Sequence, residues 1–205
     1  KTNTVRIGDD HMFHKGLNKD MIVESAKEMI EKNGVQQFSM HKLAEKLGIK
    51  TASLYTHIES MKALFTEIGL AALNDQKNCL MNAIGENHAD AAIEAIANSY
   101  VQFAAEHMEL YRFIMQMPSG SDEVLKEAAA MTAEPFMKVL DDYHISDISK
   151  MHWQRVLRGL MHGFISEERA GYFSHYPVPV NESYTLAIHC VIDGLHKEEG
   201  ENHEQ

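Results

Sequence analysis

The 205-residue sequence predicts an all-α protein of about nine helices, with a small three-helix N-terminal domain ahead of a larger helical one. Three observations lead there. Apolar residues recur three and four positions apart along nearly the whole chain, which is the spacing of one helix face. Four prolines and twelve glycines are too few for an all-β sandwich, which needs a turn about every ten residues. A 44% apolar and 24% charged composition is that of an ordinary folded chain, long enough to bury a sizeable core.

Residues 1–16 show no apolar period and read as a flexible arm. From the N-capping Asn18, the residues Ile22, Ala26, Met29 and Ile30 define a first helix that Asn33-Gly34 ends. Ser39 caps a short second helix with Met40, Leu43, Ala44 and Leu47 on its packed face, and Gly48 closes it. A short third helix carries Ala52, Leu54, Tyr55 and Ile58. Ser60 caps a longer fourth through Leu64, Phe65, Ile68 and Leu73. Domain limits at 17–62 and 63–205 follow.

The second domain opens with a stripe of Ile93, Ile96, Ala97, Tyr100 and Ala104. A short apolar helix from Glu109 to Met117 stops at Pro118-Ser119-Gly120. The period continues through Leu125, Ala128, Thr132, Phe136, Val139 and Tyr143, with a kink or break expected at Pro135. Trp153, Leu157, Leu160 and Phe164 form the next stripe, which ends near Gly171. Pro177 and Pro179 hold Tyr172 to Val180 extended. Asn181 caps the last helix, which places Tyr184, Ile188, Val191, Ile192 and Leu195 on one side and Ala187 and Cys190 on another. A helix apolar on more than one side is expected in a subunit interface.

Charge is unevenly divided. The chain carries a net −11, yet residues 1–66 hold ten Lys and Arg against eight Asp and Glu, whereas residues 67–205 hold nine against twenty-two. The N-terminal part therefore permits DNA binding, which the whole-chain charge would argue against. The uncharged stretch from Ala95 to Ala105 contains Asn98, Ser99 and Gln102, and nothing approaches the roughly 18 apolar residues of a membrane span. With only Cys79 and Cys190, and no signal-like opening, a cytoplasmic protein without membrane contact is expected.

Motifs of catalysis and cofactor binding are missing. The spacings His11-x2-His14 and His189-x6-His196 do not fit structural zinc, and there is no glycine-rich nucleotide loop or metalloprotease motif. Ser39 to Lys42 matches a Ser-x-x-Lys pattern without its companions. His162 shares no helix face well with Glu167 or Glu168. The expectation is no metal, no cofactor and no enzyme activity.

The informative segment is Ser39 to Ile58: short helix, glycine turn, short helix, in the proportions of a helix-turn-helix or of a plain αα-corner. Lys50, Thr51, Ser53, Thr56 and His57 are left facing outward; all are able to hydrogen-bond and none is acidic. Phe38-Ser39, Leu43 to Ile49, Ala52 to Ile58 and Ser60, with the Asn18–Asn33 helix before them, resemble the N-terminal domain of TetR-family transcriptional repressors. The resemblance covers residues 17–66. Two positions depart from it: Lys50 stands where a small N-cap is usual, and Met61 where a lysine commonly follows the serine, with Lys62 next.

By this resemblance the protein is a homodimer whose last two long helices pair into a four-helix bundle, with recognition helices reading successive major grooves about 34–36 Å apart on a palindromic operator. Lys50, Thr51 and Ser53 are then the base-edge candidates, Tyr55 and His57 face phosphates, and Ser39 and Lys42 offer a phosphate site at the bracing helix. Thr56 and Lys62 complete the DNA-binding set.

A second resemblance covers residues 150–196. Arg155 to Arg158, Leu160 to Phe164, Glu167 or Glu168, Gly171, Phe173 and Pro177 to Asn181 look like the ligand-binding domain of the TetR subgroup named for a tryptophan-histidine-glycine motif. The His162-Gly163 pair is present, while the aromatic residue is Trp153, nine positions earlier. Methionine and aromatic side chains suit both adaptable pockets and core packing. On the pocket reading, Tyr100, Phe103, Tyr111, Met115, Trp153, Leu157, Met161 and Phe164 hold a small, partly apolar effector, and the acidic domain around them suits a cation. The sequence is thus read as a ligand-responsive repressor released from its operator by that effector. The alternative is a helical interaction protein that keeps the helix-turn-helix without operator binding.

Overall fold

Local capping chemistry sets out the first helices. In the computed structural model, which describes residues 16–117 and 123–203, α1 (Lys19–Asn33) begins where the Asn18 side chain accepts the Met21 N–H at 2.9 Å. It ends at Gly34, whose N–H bonds the Ile30 carbonyl. One 3-10 turn, Val35–Gln37, leads into α2 (Met40–Lys46), which Ser39 caps by accepting the Lys42 N–H at 3.2 Å. Then come α3 (Thr51–Leu54) and α4 (Met61–Ile84), the latter capped by Ser60 on the Ala63 N–H.

The chain divides into two compact units between Ile68 and Gly69, within α4. The core of the first unit comprises Ile22, Ala26, Ile30, Leu43, Ala44, Leu54, Ile58, Leu64 and Ile68, all buried.

The second unit continues with α5 (Ala89–Glu106), α6 (Met108–Gln116), α7 (Glu123–Met131), α8 (Glu134–Leu140), α9 (Asp147–Arg169) and α10 (Val180–His203). Helix α5 is its axis and packs on α6, α8, α9 and α10. Its stripe of Ile93, Ile96, Ala97, Tyr100 and Ala104 is buried against Phe136, Leu140, Leu157, Met161, Ile188 and Leu195. The Tyr184 hydroxyl donates to the Ala97 carbonyl at 2.9 Å, joining α10 to α5.

The described residues thus form ten α-helices and no strand. Of the kink or break expected at Pro135 the structure has the break: α7 ends at Met131, and the proline lies in the first turn of α8. Helix α3 is a single turn, so Leu54 and Ile58 are buried while Ala52 and Tyr55, expected beside them, are exposed. On α9 the buried stripe is Leu157, Met161 and Ile165; Trp153, Leu160 and Phe164 are half-buried flanks. Residues 171–178 form turns and bends instead of an extended run, and α10 starts at Val180, so Asn181 lies inside it. The Pro118-Ser119-Gly120 stop and, Gly16 apart, the N-terminal arm fall outside the described residues.

One glycine of α10 is sterically required. A Cβ on Gly194 would lie 2.6 Å from the Trp153 ring, and that ring is pinned by its Nε1–H, which donates to Glu198 at 2.7 Å. Alanine in a helix is worth about 1 kcal/mol over glycine, whereas overpacking costs about 1–3 kcal/mol. Gly194→Ala is therefore expected to lower Tm by about 2–5 °C in a calorimetric scan. Gly159→Ala, whose Cβ meets nothing within 4 Å, should leave Tm unchanged or raise it.

Candidate nucleic-acid interface and ligand cleft

The turn between α2 and α3 is closed by Gly48, at φ +67°, a left-handed conformation that a side chain would strain. Its N–H bonds the Glu45 carbonyl, and the Ile49 N–H bonds the Ala44 carbonyl, both at 3.0 Å. Together these two bonds form a Schellman closure. The resulting bend packs α3 on α2, with Leu43 and Ala44 buried from one and Leu54 and, just beyond the other, Ile58.

Outward from that core, Lys50, Thr56, His57 and Lys62 are exposed, Tyr55 is 50% exposed, and Thr51 and Ser53 are half-buried. Some of these groups already have work within the protein. The Thr56 hydroxyl donates to the Ser53 carbonyl at 2.7 Å, Ser39 is an N-cap, and Lys42 Nζ donates to the Gln37 carbonyl at 3.0 Å. The other lysines separate by partner. Lys19 pairs with Glu67, Lys27 with Glu24, and Lys46 with Glu28. Lys32, Lys50 and Lys62 make no ion pair among the described residues, and the last two bracket α3. A single helical turn with half-buried Thr51 and Ser53, followed by the exposed Tyr55, Thr56 and His57 and set between Lys50 and Lys62, is a surface chemically suited to duplex DNA.

The second unit contains an open cleft of about 530 Å³. Tyr100, Met115, Ala130 and Ala133 form one part of its lining, and α9 contributes Gln154, Arg155, Arg158, Gly159 and His162. Behind it, the Tyr111 hydroxyl and His162 Nδ1 share a hydrogen bond of 2.6 Å. Arg169 lies over the Tyr111 ring, 5.2 Å from its centroid, and donates to the Ala104 carbonyl. Burial pushes the Tyr111 phenol far above its usual range. Burial, and secondarily the Arg158 guanidinium, hold His162 below the ordinary imidazole value. Gln76 on α4 is 2% exposed and lies beside the Tyr100 hydroxyl; its buried amide nitrogen has no hydrogen-bond partner among the described residues.

Of the residues expected to hold an effector, Tyr100 and Met115 line this cleft and Tyr111 backs it through His162. Leu157 and Met161 are fully buried on the neighbouring face of α9, and Phe103 is buried with its ring 4.9 Å from His107. Trp153 packs on Gly194 of α10. Phe164 lines a separate apolar pocket of about 280 Å³ with Phe173, Tyr176, Val178 and Val180. The cleft's polar lining, Gln154, Arg155, Arg158 and His162, was not among the expected ligand contacts. Arg155, Arg158 and His162 are three and four positions apart, a helical spacing visible in the sequence. No carboxylate is among the lining residues described, and those residues do not favour the cationic ligand suggested by the acidic domain.

These two sites define a helix-turn-helix transcriptional regulator with a separate helical domain. Comparison with known proteins gives the family. Residues 22–68 match the model for bacterial regulatory proteins of the tetR family, and residues 93–191 match the tetracyclin repressor-like C-terminal domain. The HTH-type transcriptional regulator YobS of Bacillus subtilis, itself uncharacterized, is 27% identical over 181 residues, covering 88% of this chain and 93% of that one. A protein of unknown function from Rhodococcus sp. RHA1 has the same fold at a TM-score of 0.76 and 24% identity, covering 91% of this chain and 99% of its own. The Streptomyces coelicolor TetR family protein ActR, solved in complex with actinorhodin, matches at a TM-score of 0.64 and 16% identity over 90% of this chain and 99% of its own. The chain belongs to the TetR family of transcriptional regulators.

The environment of His162 is open to direct measurement. In a proton NMR titration, the imidazole resonance missing from His162→Gln should have its midpoint below 6.5. Arg158→Gln should move that midpoint upward, because it removes the guanidinium that opposes protonation. A midpoint at or above 6.5 in the unsubstituted protein would contradict the burial described.

Proposed function

We propose that the protein is a ligand-responsive transcriptional repressor. It is a cytoplasmic homodimer that holds a palindromic operator through two helix-turn-helix units and lets go when a small, partly apolar effector occupies the cleft. The observation carrying this reading is the α3 turn and the exposed Tyr55, Thr56 and His57 after it, set between Lys50 and Lys62, which make no ion pair among the described residues, in a unit whose lysines at positions 19, 27 and 46 are paired with carboxylates. Lys50, Thr51 and Ser53 then meet base edges. Tyr55, His57, Lys62, Ser39 and Lys42 meet phosphates, with Thr56 holding the end of α3 in place.

Dimerisation through α9 and α10 is supported by apolar surface without a partner in one chain. Val156 is 45% and Leu186 65% exposed, Cys190 is exposed, and a Cβ on Gly163 would meet nothing within 4 Å. A two-fold pair of recognition surfaces requires a two-fold operator. The family's tetracyclin repressor-like C-terminal domain and the actinorhodin-bound ActR structure support small-molecule control on this fold. Release is a population shift: the effector must bind the non-binding geometry more tightly, since equal affinity for both moves nothing.

Selection from random double-stranded DNA at moderate salt tests the reading, and one palindromic site should be recovered. Against that site, Lys50→Ala should cost about 1–3 kcal/mol and relax sequence preference, while Lys62→Ala should weaken all sequences alike and flatten the salt dependence. Leu186→Glu should give a folded monomer by sedimentation that no longer retains the site. Recovery of no sequence by a folded, effector-free dimer would refute the repressor.

A further inference from the structure

We infer that the effector is an organic anion, a carboxylate or similar acid on an apolar body, held by Arg158 and Arg155 in the α9 cleft. This rests on the reading of the cleft as the effector site and names the chemistry that the site selects.

The argument begins with charge compensation. Arg158 is half-buried, and neither it nor Arg155 pairs with a carboxylate among the described residues. A guanidinium withdrawn from water without a counter-ion is costly, and it presents planar paired donors that match a carboxylate. The described side chains nearby do not provide the missing charge. The Tyr100 and Tyr111 phenols, which feel the Arg158 charge, are kept protonated by burial. His162 is kept neutral by burial and by Arg158.

The rest of the lining completes the selection. Gln154 adds a neutral donor at the polar wall. Met115, Ala130, Ala133 and Gly159 leave apolar space for the remainder of the molecule. Donors thus converge on one side of a cleft whose other side is greasy, within a domain carrying twenty-two acids against nine bases over residues 67–205. Against that background two unpaired arginines in one cavity are a local reversal of charge.

The test uses two dyes on the full chain: anilinonaphthalene sulfonate, an aromatic anion, and phenylnaphthylamine, its uncharged parent without the sulfonate. Fluorescence titration should show the anion binding the unsubstituted protein. Arg158→Gln should weaken the anion about tenfold or more and the neutral dye less than about twofold, since a charge-assisted pair is lost. Arg155→Gln should act in the same direction, and Arg158→Lys should retain most of the affinity. Thermal melts establish that each variant is folded; if Arg158→Gln is not, Arg155→Gln and Arg158→Lys decide the matter. Equal weakening of both dyes, no weakening of either, or binding of the neutral dye alone overturns the anion while leaving an effector cleft intact. Binding of neither dye, by protein that still retains operator DNA, overturns the effector reading of the cleft and the anion with it.

Discussion

Helix α9 has to satisfy three surroundings at once, and the second unit is organised around that constraint. Leu157, Met161 and Ile165 are buried in the core, Arg155, Arg158 and His162 line the cleft, and Val156 and Gly163 are left toward solvent. With 3.6 residues per turn these sets are only a fraction of a turn apart, so a small rotation would put an arginine into the core. Burying three large apolar side chains, at about 1.5–3 kcal/mol each, fixes which set turns inward. Arg169 and the Tyr111–His162 hydrogen bond then hold the helix against α5 and α6. The cleft and the apolar surface are thus consequences of one packing decision, and a molecule pressing on Arg158 acts on a helix that also carries the surface proposed for dimerisation.

The first unit meets a simpler constraint by simpler means. Helix α3 is too short to be stable on its own, because nucleating a helix fixes several residues for a single hydrogen bond. Its position comes from Leu54 and Ile58, which flank the exposed residues and are buried in the same core as α2. The Gly48 closure brings them there at no side-chain cost. A surface presented in this way is preorganised: Thr51, Ser53 and Tyr55 stand on a rigid turn instead of a loop that would have to order on binding.

How far the sequence could be read follows from the range of the forces involved. Asn18, Ser39 and Ser60 were legible as caps, and Gly48 as a turn, because each acts on backbone groups within five positions of itself. The α5 stripe was legible because a central helix repeats its burial at every turn. Pro135 was ambiguous because a proline both breaks one helix and starts the next. The cleft was the least legible part. Residue type does not separate a pocket aromatic from a core one, and it was tertiary packing that sent Phe103, Leu157 and Met161 into the core, left Met115 at the cleft and gave the buried Tyr100 a place in both. The arginines were visible at helical spacing, but a domain-wide acidic balance pointed away from them.

That balance misleads because fields in a protein are local. At physiological ionic strength the screening length is about 8 Å, so acids spread over an exposed surface contribute little inside a cleft. Several of those acids are engaged where they stand: Asp90 holds His196 at 2.8 Å and accepts from the Tyr143 hydroxyl, Glu134 pairs with Lys77, and Asp141 with Lys150. What a ligand meets at 3–4 Å is the guanidinium beside it, in a medium less polarisable than water, where one charge outweighs many distant ones. Net charge and cleft charge therefore answer separate questions. An excess of acid on an exterior disfavours sequence-independent association with a phosphate backbone. The cleft follows its own lining because Arg158 is half-buried there, and a contact with it at close range is screened less than the spread of exposed acids.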